Sequence, residues 1–321
     1  MVQRTGHPNN LINLDALSKP ITALIDAVSR GIGTLYEPTR IQRNAKAKAE
    51  EIVIIAEAEK KKNDILKAAQ SQLNNVSKDD LEAVVSRIVG KELNRQKNID
   101  SIAQIAFDDL RKAKIISNQK VETDWLSRFF NYAKDVSAEE LRYTWGKILS
   151  QEIQSPGSYS LRTLNVISCL SKKEADLFTK LGDYILISST SSFLIRKGHK
   201  ILGSDLTYEE ILILMECGFI KEIHNLSLDY EIDKKQNLGF RYQDLVIIIE
   251  KGEGVLNFSI PIYQLTTAGT EIYNILKVQR NLSYIREVAT YLNNDKLRLG
   301  CSKLISMKDG IIETEDDITY L

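Results

Sequence analysis

The chain has 321 residues, with 43 basic and 43 acidic side chains and therefore a formal net charge of zero. This balance argues against attraction of the whole molecule to nucleic acid, so any basic surface must be local. The three cysteines, Cys169, Cys217 and Cys301, stand far apart without a CxxC pair, which favours free thiols in a reducing cytosol over a disulfide framework.

The first residues, MVQRTGHPNN, lack the apolar core of a secretory signal, and the chain has no run of about 18 apolar residues that would predict a spanning helix. We therefore expect a cytoplasmic protein whose contact with the inner membrane, where there is one, is peripheral. Residues 1–17 are polar and are predicted to form a disordered tail.

An amphipathic helix is predicted to follow, with Ser18 as its N-cap and Pro20 in its first turn. Its apolar stripe recurs at helical spacing and consists of Ile21, Leu24, Ile25, Val28, Ile32 and Leu35. A soluble protein rarely leaves such a stripe bare. The chain's own core, another subunit or a lipid surface could cover it. We favour another subunit, because the stripe lacks tryptophan and its polar side is barely basic.

Residues 39–73 are rich in charge and alanine and predict a long charged helix, so that residues 18–75 form one region. A single short apolar run at residues 52–55, without sustained heptads, gives only slight support to a coiled coil. The best local basic patch is Arg40, Arg43, Lys46 and Lys48. A solvated helix face is the simpler interpretation, and contact with anionic lipid headgroups is the alternative.

Residues 76–185 predict an α-helical bundle. Ser77 and Ser171 are candidate N-caps, and Trp125 and Trp145 lie among apolar neighbours on faces that are predicted to point inward. Structural anchoring is the simpler interpretation of both tryptophans, and a ligand platform is the alternative.

Residues 186–321 differ from the preceding region in their sequence pattern. Short β-rich runs alternate with helices, one of which is predicted to end at Gly218 and to be followed by a strand. Two β-rich runs flank Gly252-Glu253-Gly254, which predicts a hairpin. The order helix, hairpin, helix is typical of a winged-helix-like α+β domain. The sequence therefore predicts a mainly α protein with amphipathic and charged N-terminal helices, a helical bundle and a winged-helix-like C-terminal domain.

Chemistry-bearing motifs are missing from the sequence. The three histidines are scattered, and neither a phosphate-binding glycine motif nor a metal-ligand spacing occurs. We expect no catalytic residues, no cofactor-binding residues, no bound metal and no cofactor, and therefore a protein that is not an enzyme. Sequence-specific DNA binding is less favoured, because the helix before the hairpin carries Glu209, Glu210 and Glu216 without a basic residue.

Residues 124–178 contain PGSYSLRTL and, together with LSKPITALIDAVSRGIGTLYEPTRIQRNAKAKAE, LTYEEILILMECGFI and LTTAGTEI, resemble an uncharacterised bacterial family defined by a domain of unknown function. This resemblance spans roughly residues 17–278, and no catalytic residue is carried over from the family to this chain. The opening helices are also loosely similar to the abortive-infection alpha proteins, which implies a role in defence against phage.

Together these features favour a non-enzymatic, self-associating bacterial protein. We hypothesise a role in phage defence by abortive infection, with conditional membrane engagement of the N-terminal helix. A homo-oligomer, an anionic membrane surface and a phage or host protein that acts as trigger are the expected partners. A nucleic-acid-associated regulator that uses the winged-helix-like domain is the alternative, and an unrecognised hydrolase ranks last.

Overall fold

The structure, a computed structural model, describes residues 19–34, 36, 60, 63–65, 77–113, 115–223, 225–232, 238–251, 256–276, 278, 280–292, 297–308, 311–315 and 317–320. The chain divides into two compact units, residues 1–164 and 165–321. The predicted disordered tail of residues 1–17 and the basic patch lie outside the described residues, and the predicted long helix of residues 39–73 lies almost entirely outside them.

The first unit is built from helices. They are α1 (Lys19–Ile32), α2 (Lys78–Leu110), α3 (Thr123–Ala133) and α4 (Glu139–Gln154), and α5 (Leu161–Ser168) crosses the division between the units. Ser77 caps α2, since its side chain accepts a hydrogen bond from the backbone N–H of Asp80. The predicted helix starts at Ser77 and near Lys19 are therefore confirmed within a residue or two.

Aromatic side chains lie at the centre of the core of this unit. Trp125 and Trp145 are 4% and 0% exposed, so their predicted burial is confirmed. Phe129 lies between them and stacks on Trp125 with the ring centroids 5.1 Å apart, and it meets Trp145 edge-on at the same centroid distance. Such offset and edge-to-face pairs add stability beyond the burial of their area.

The second unit combines helices with a sheet. Its helices are α6 (Lys172–Gly182), α7 (Tyr208–Glu216), α8 (Thr267–Tyr273) and α9 (Leu282–Leu292). Its strands are β1 (Leu186–Ile187), β2 (Ser192–Lys197), β3 (Lys200–Ile201), β4 (Ser227–Ile232), β5 (Leu238–Tyr242), β6 (Leu245–Lys251), β7 (Leu256–Gln264), β8 (Leu297–Lys308), β9 (Ile311–Thr314) and β10 (Thr319–Tyr320).

These strands form one curled, ten-stranded antiparallel sheet in the order β10-β8-β6-β5-β1-β2-β7-β4, with β3 beside β2 and β9 beside β8. The predicted fold class is therefore wrong: the protein is not mainly α with a helical bundle and a winged-helix-like domain. Helical periodicity is a local signal that the sequence displays, whereas a sheet of this size depends on pairings between distant segments.

The predicted hairpin around Gly252–Gly254 is also wrong. The two β-rich runs are β6 and β7, but β6 pairs with β5 and β8, and β7 pairs with β2 and β4. The hairpin that does form joins β5 to β6 through Gln243 and Asp244. Gln243 has a φ of 55°, a left-handed conformation that turns of this kind require and that glycine usually supplies. Neither turn residue is glycine, so the usual sequence signal for a two-residue hairpin turn is missing here.

The core of the second unit lies between the sheet and α9. Alternate residues of β5, β6 and β8, among them Phe240, Ile247 and Leu299, are buried with Tyr284 and Val288 of α9. Pro261 in β7 has no N–H to donate, and the ladder between β7 and β2 ends beside it at the pair Ile195 and Ile262.

Candidate functional site

The amphipathic stripe of α1 lies largely inside the first unit. Leu24, Ile25 and Val28 are 0%, 6% and 0% exposed, and α1 packs mainly against α3. Ile21 and Ile32 are half-buried, and Leu35 lies outside the described residues. The centre of the stripe is therefore covered by the chain's own core. This was one of the three covers considered from the sequence, but not the favoured one, which was another subunit.

Gly31 explains how closely α1 and α3 approach. A Cβ atom at this position would lie 2.1 Å from the Cδ2 atom of Phe130, which is closer than two non-bonded carbon atoms can come. Arg30 adds a polar tie, because its Nη1 donates to the carbonyl oxygen of Val121 at 2.8 Å. The helix is therefore fitted to its own chain on both its apolar and its polar sides.

The sequence-predicted surface for anionic lipid, Arg40, Arg43, Lys46 and Lys48, lies outside the described residues, and its role stays a prediction. Among the helices that the structure does describe, none is both long enough and apolar enough to cross a bilayer. In the same part of the chain, no three His, Cys, Asp or Glu side chains are grouped as metal ligands would be.

The PGSYS segment is held by a buried carboxylate that the sequence analysis missed. Glu152 of α4 is 2% exposed, and its two oxygens accept from the backbone N–H groups of Gly157 at 2.6 Å and Tyr159 at 3.0 Å. The indole N–H of Trp125 donates to the carbonyl oxygen of Tyr159 at 2.7 Å. Glu152 and Trp125 therefore fix this segment from both sides, and both side chains already have partners.

A second polar cluster joins α2 to α4. Lys147 forms an ion pair with Asp109, and the hydroxyl of Ser150 donates to the same carboxylate at 2.7 Å. Burial lowers the pKa of Lys147, but the hydrogen bond to Asp109 and the negative charge of that carboxylate together outweigh burial, so that the pKa lies above its ordinary value. A lysine with a raised pKa stays protonated at neutral pH, which suits an ion pair and opposes a role as a general base.

A cleft of about 860 Å³ opens beside α9 at the β10 end of the strand order. Its lining is mixed, with two guanidinium groups, two hydroxyl-bearing threonines, a tyrosine and an apolar floor. The residues are Arg286, Ala289, Thr290, Leu297, Arg298, Leu299, Thr319 and Tyr320. The hydroxyl of Tyr320 already donates to Glu250 at 3.1 Å, which raises the pKa of that tyrosine.

The other end of the strand order is the open edge of the sheet, formed by β4. All six residues from Ser227 to Ile232 pair with β7, and no strand among the described residues lies on the other side. Tyr230 fixes the register, since its ring lies 5.5 Å from the ring of Phe258 directly opposite and 5.7 Å from that of Phe240. Burial raises the pKa of Tyr230.

The register shows which backbone groups of β4 remain available. The carbonyl oxygen of Leu226 accepts from the N–H of Ile262 at 2.9 Å, which makes this a hydrogen-bonded pair. Hydrogen-bonded and non-hydrogen-bonded pairs alternate along an antiparallel ladder. Leu228 and Tyr230 therefore bond to β7, and the N–H and C=O groups of Ser227, Asp229 and Glu231 point away from the sheet.

The side chains divide in the same way. Leu228 and Tyr230 pack against the sheet core, whereas Asp229 and Glu231 are exposed. The sequence predicts a strand after Gly218 but not its bounds. The alternation of apolar and polar residues in SLDYEI is the signal that could have located it.

Residues 82–289, which include β4 and the PGSYS segment, match the model of a family described as "Protein of unknown function (DUF2806)". No curated protein and no solved structure matches the chain.

Proposed function

Since the match covers more than half of its residues, the chain belongs to this family of unknown function, and we propose that it is a non-enzymatic binding protein that captures an extended peptide at β4. Binding occurs by strand addition: the peptide lies beside β4 and becomes the next strand of the sheet. This mode takes its affinity from main-chain hydrogen bonds and its specificity from alternate side chains.

The observation that supports this proposal is the outward-facing backbone of β4. Ser227, Asp229 and Glu231 present three N–H and three C=O groups along a regular strand that has no bulge against β7 and contains no proline. Natural edge strands that avoid pairing are commonly short, bulged or interrupted by proline. β4 has six residues and lies within the part of the chain that matches the family.

Self-association, a role in phage defence and membrane engagement of α1 stay predictions. The burial of Leu24 and Val28 adds a condition to the last of these, because α1 must leave α3 before its stripe can meet lipid. The regulator hypothesis loses its basis, since it depended on a winged-helix-like domain.

The test is a proline placed where it removes only an outward N–H. Asp229→Pro deletes a donor that β7 does not use, and proline is tolerated on an edge strand when its nitrogen faces solvent. Asp229→Ala is the matched control, because it removes the same carboxylate and keeps the N–H. Fluorescence anisotropy measures binding of a labelled seven-residue peptide in which serine and valine alternate.

We expect wild type and Asp229→Ala to bind this neutral peptide alike, and Asp229→Pro to lose binding while it keeps the melting temperature of the alanine variant. Equal binding by the proline and alanine variants would place the peptide elsewhere and refute strand addition at β4. Failure of the wild-type protein to bind any extended peptide would refute the function itself.

A further inference from the structure

The outward face of β4 is acidic. Asp229 and Glu231 are both exposed, they lie two residues apart on the same face of the strand, and β4 contains no lysine or arginine. No ion pair joins either carboxylate to another side chain of the described residues. The free edge therefore offers two negative charges at a spacing of about 7 Å, twice the rise per residue of a strand.

This charge pattern opposes pairing between two copies of the protein. In an antiparallel pair centred on Asp229, that residue faces its own copy, and in the neighbouring register Asp229 faces Glu231. Both registers place carboxylates opposite carboxylates, and like charges directly opposite one another destabilise a strand pair. Pairing of β4 with a second β4 is thus disfavoured although the backbone would allow it.

The same pattern favours a partner of opposite charge. We infer that the strand captured by β4 is a basic segment with lysine or arginine at alternate positions, and this inference rests on the proposed function. Residues directly opposite in an antiparallel pair have Cβ atoms about 5 Å apart, within reach of a long cationic side chain. Two cations separated by one residue meet Asp229 and Glu231, while the residue between them faces the other side of the sheet.

The experiment compares three peptides of equal length in the anisotropy assay. Their third and fifth residues are lysine, glutamate or serine, and the other positions are the same. We expect wild type to bind the lysine peptide about tenfold more tightly than the serine peptide, which corresponds to two favourable cross-strand charge pairs, and to bind the glutamate peptide least. Added salt should narrow this difference.

Charge reversal gives the decisive variant. Asp229→Lys combined with Glu231→Lys should reverse the order of the peptide affinities, so that the glutamate peptide binds most tightly and the lysine peptide least tightly. The matched control is Glu209→Lys with Glu216→Lys on α7, which changes the net charge equally, leaves β4 intact and should keep the wild-type preference.

Three outcomes would overturn the inference. Equal affinity for the three peptides, with binding still blocked by Asp229→Pro, would refute the basic partner and leave strand addition standing. A dimer that Asp229→Pro converts to a monomer, measured by sedimentation, would show that a second copy is the occupant. Failure of the wild-type protein to bind any of the three peptides would refute the proposed function, on which this inference rests.

Discussion

Truncation of the buried carboxylate of Glu152 should destabilise the first unit. In Glu152→Ala the N–H of Tyr159, a residue 3% exposed, loses its acceptor, and an unsatisfied buried donor costs about 1–3 kcal/mol. Gly157 is exposed, so water can replace the carboxylate there, and about 1 kcal/mol is lost. Removal of one buried methylene group, Cγ, adds about 0.8 kcal/mol. We expect the free energy of unfolding to fall by about 3–5 kcal/mol in total.

Urea denaturation followed by tryptophan fluorescence measures this change, because both tryptophans of the chain lie in the first unit. Glu152→Gln keeps the methylene groups and one acceptor oxygen, so it should cost about half as much, roughly 1.5–3 kcal/mol. Glu139→Ala, an exposed acid at the start of the same helix, is the control and should cost at most about 1 kcal/mol. A Glu152→Ala protein that is as stable as this control would show that the carboxylate does not hold the PGSYS segment.

Two further changes probe α1 and the cluster between α2 and α4. Leu24→Ala should lower the free energy of unfolding by about 2–5 kcal/mol, as expected for a fully buried leucine, and the half-buried Ile21→Ala should cost less. An unchanged urea midpoint together with a changed oligomeric mass would instead identify Leu24 as an interface residue. Burial raises the pKa of Asp109, but the hydrogen bonds from Lys147 and Ser150, together with the positive charges of Lys147 and Lys112, outweigh burial, and the pKa lies below its ordinary value. The stabilisation is therefore present above the unfolded-state pKa of about 3.9 and is lost as the pH falls through the folded-state pKa, so Asp109→Asn should flatten the acid decline of the urea midpoint. An acid decline identical to that of wild type would contradict this assignment.

The helices could be predicted from sequence because their signals are local. Ser171 is predicted as an N-cap, and the structure has a helix start there, with a reciprocal capping box between Ser171 and Glu174. The helix that ends before Gly218 is also present as α7, and Gly218 has a φ of 76°. What covers a helix is not a local property, however. The stripe of α1 is equally apolar whether α3, another subunit or lipid lies against it.

The sheet and the candidate site could not be predicted to the same extent. β6 and β7 were located as β-rich runs, but their partners depend on packing with segments far away in the chain. The acidic alternation in β4 is visible in the sequence, yet its meaning depends on which backbone groups face outward. That orientation follows only from the register with β7, set by pairs such as Tyr230 with Phe258.

The strand order also determines when β4 becomes available during folding. The hairpins β1–β2, β5–β6 and β8–β9 join neighbouring segments and can form within microseconds. β7 must instead find β2, with residue 264 reaching residue 193, and such distant closures slow the folding of β-rich proteins. Because β4 pairs only with β7 among the described strands, β4 joins the rest of the sheet only through this distant closure. A chain interrupted before residue 256 would therefore have the residues of β4 without the strand that orients them, and peptide capture would report that β7 is in place.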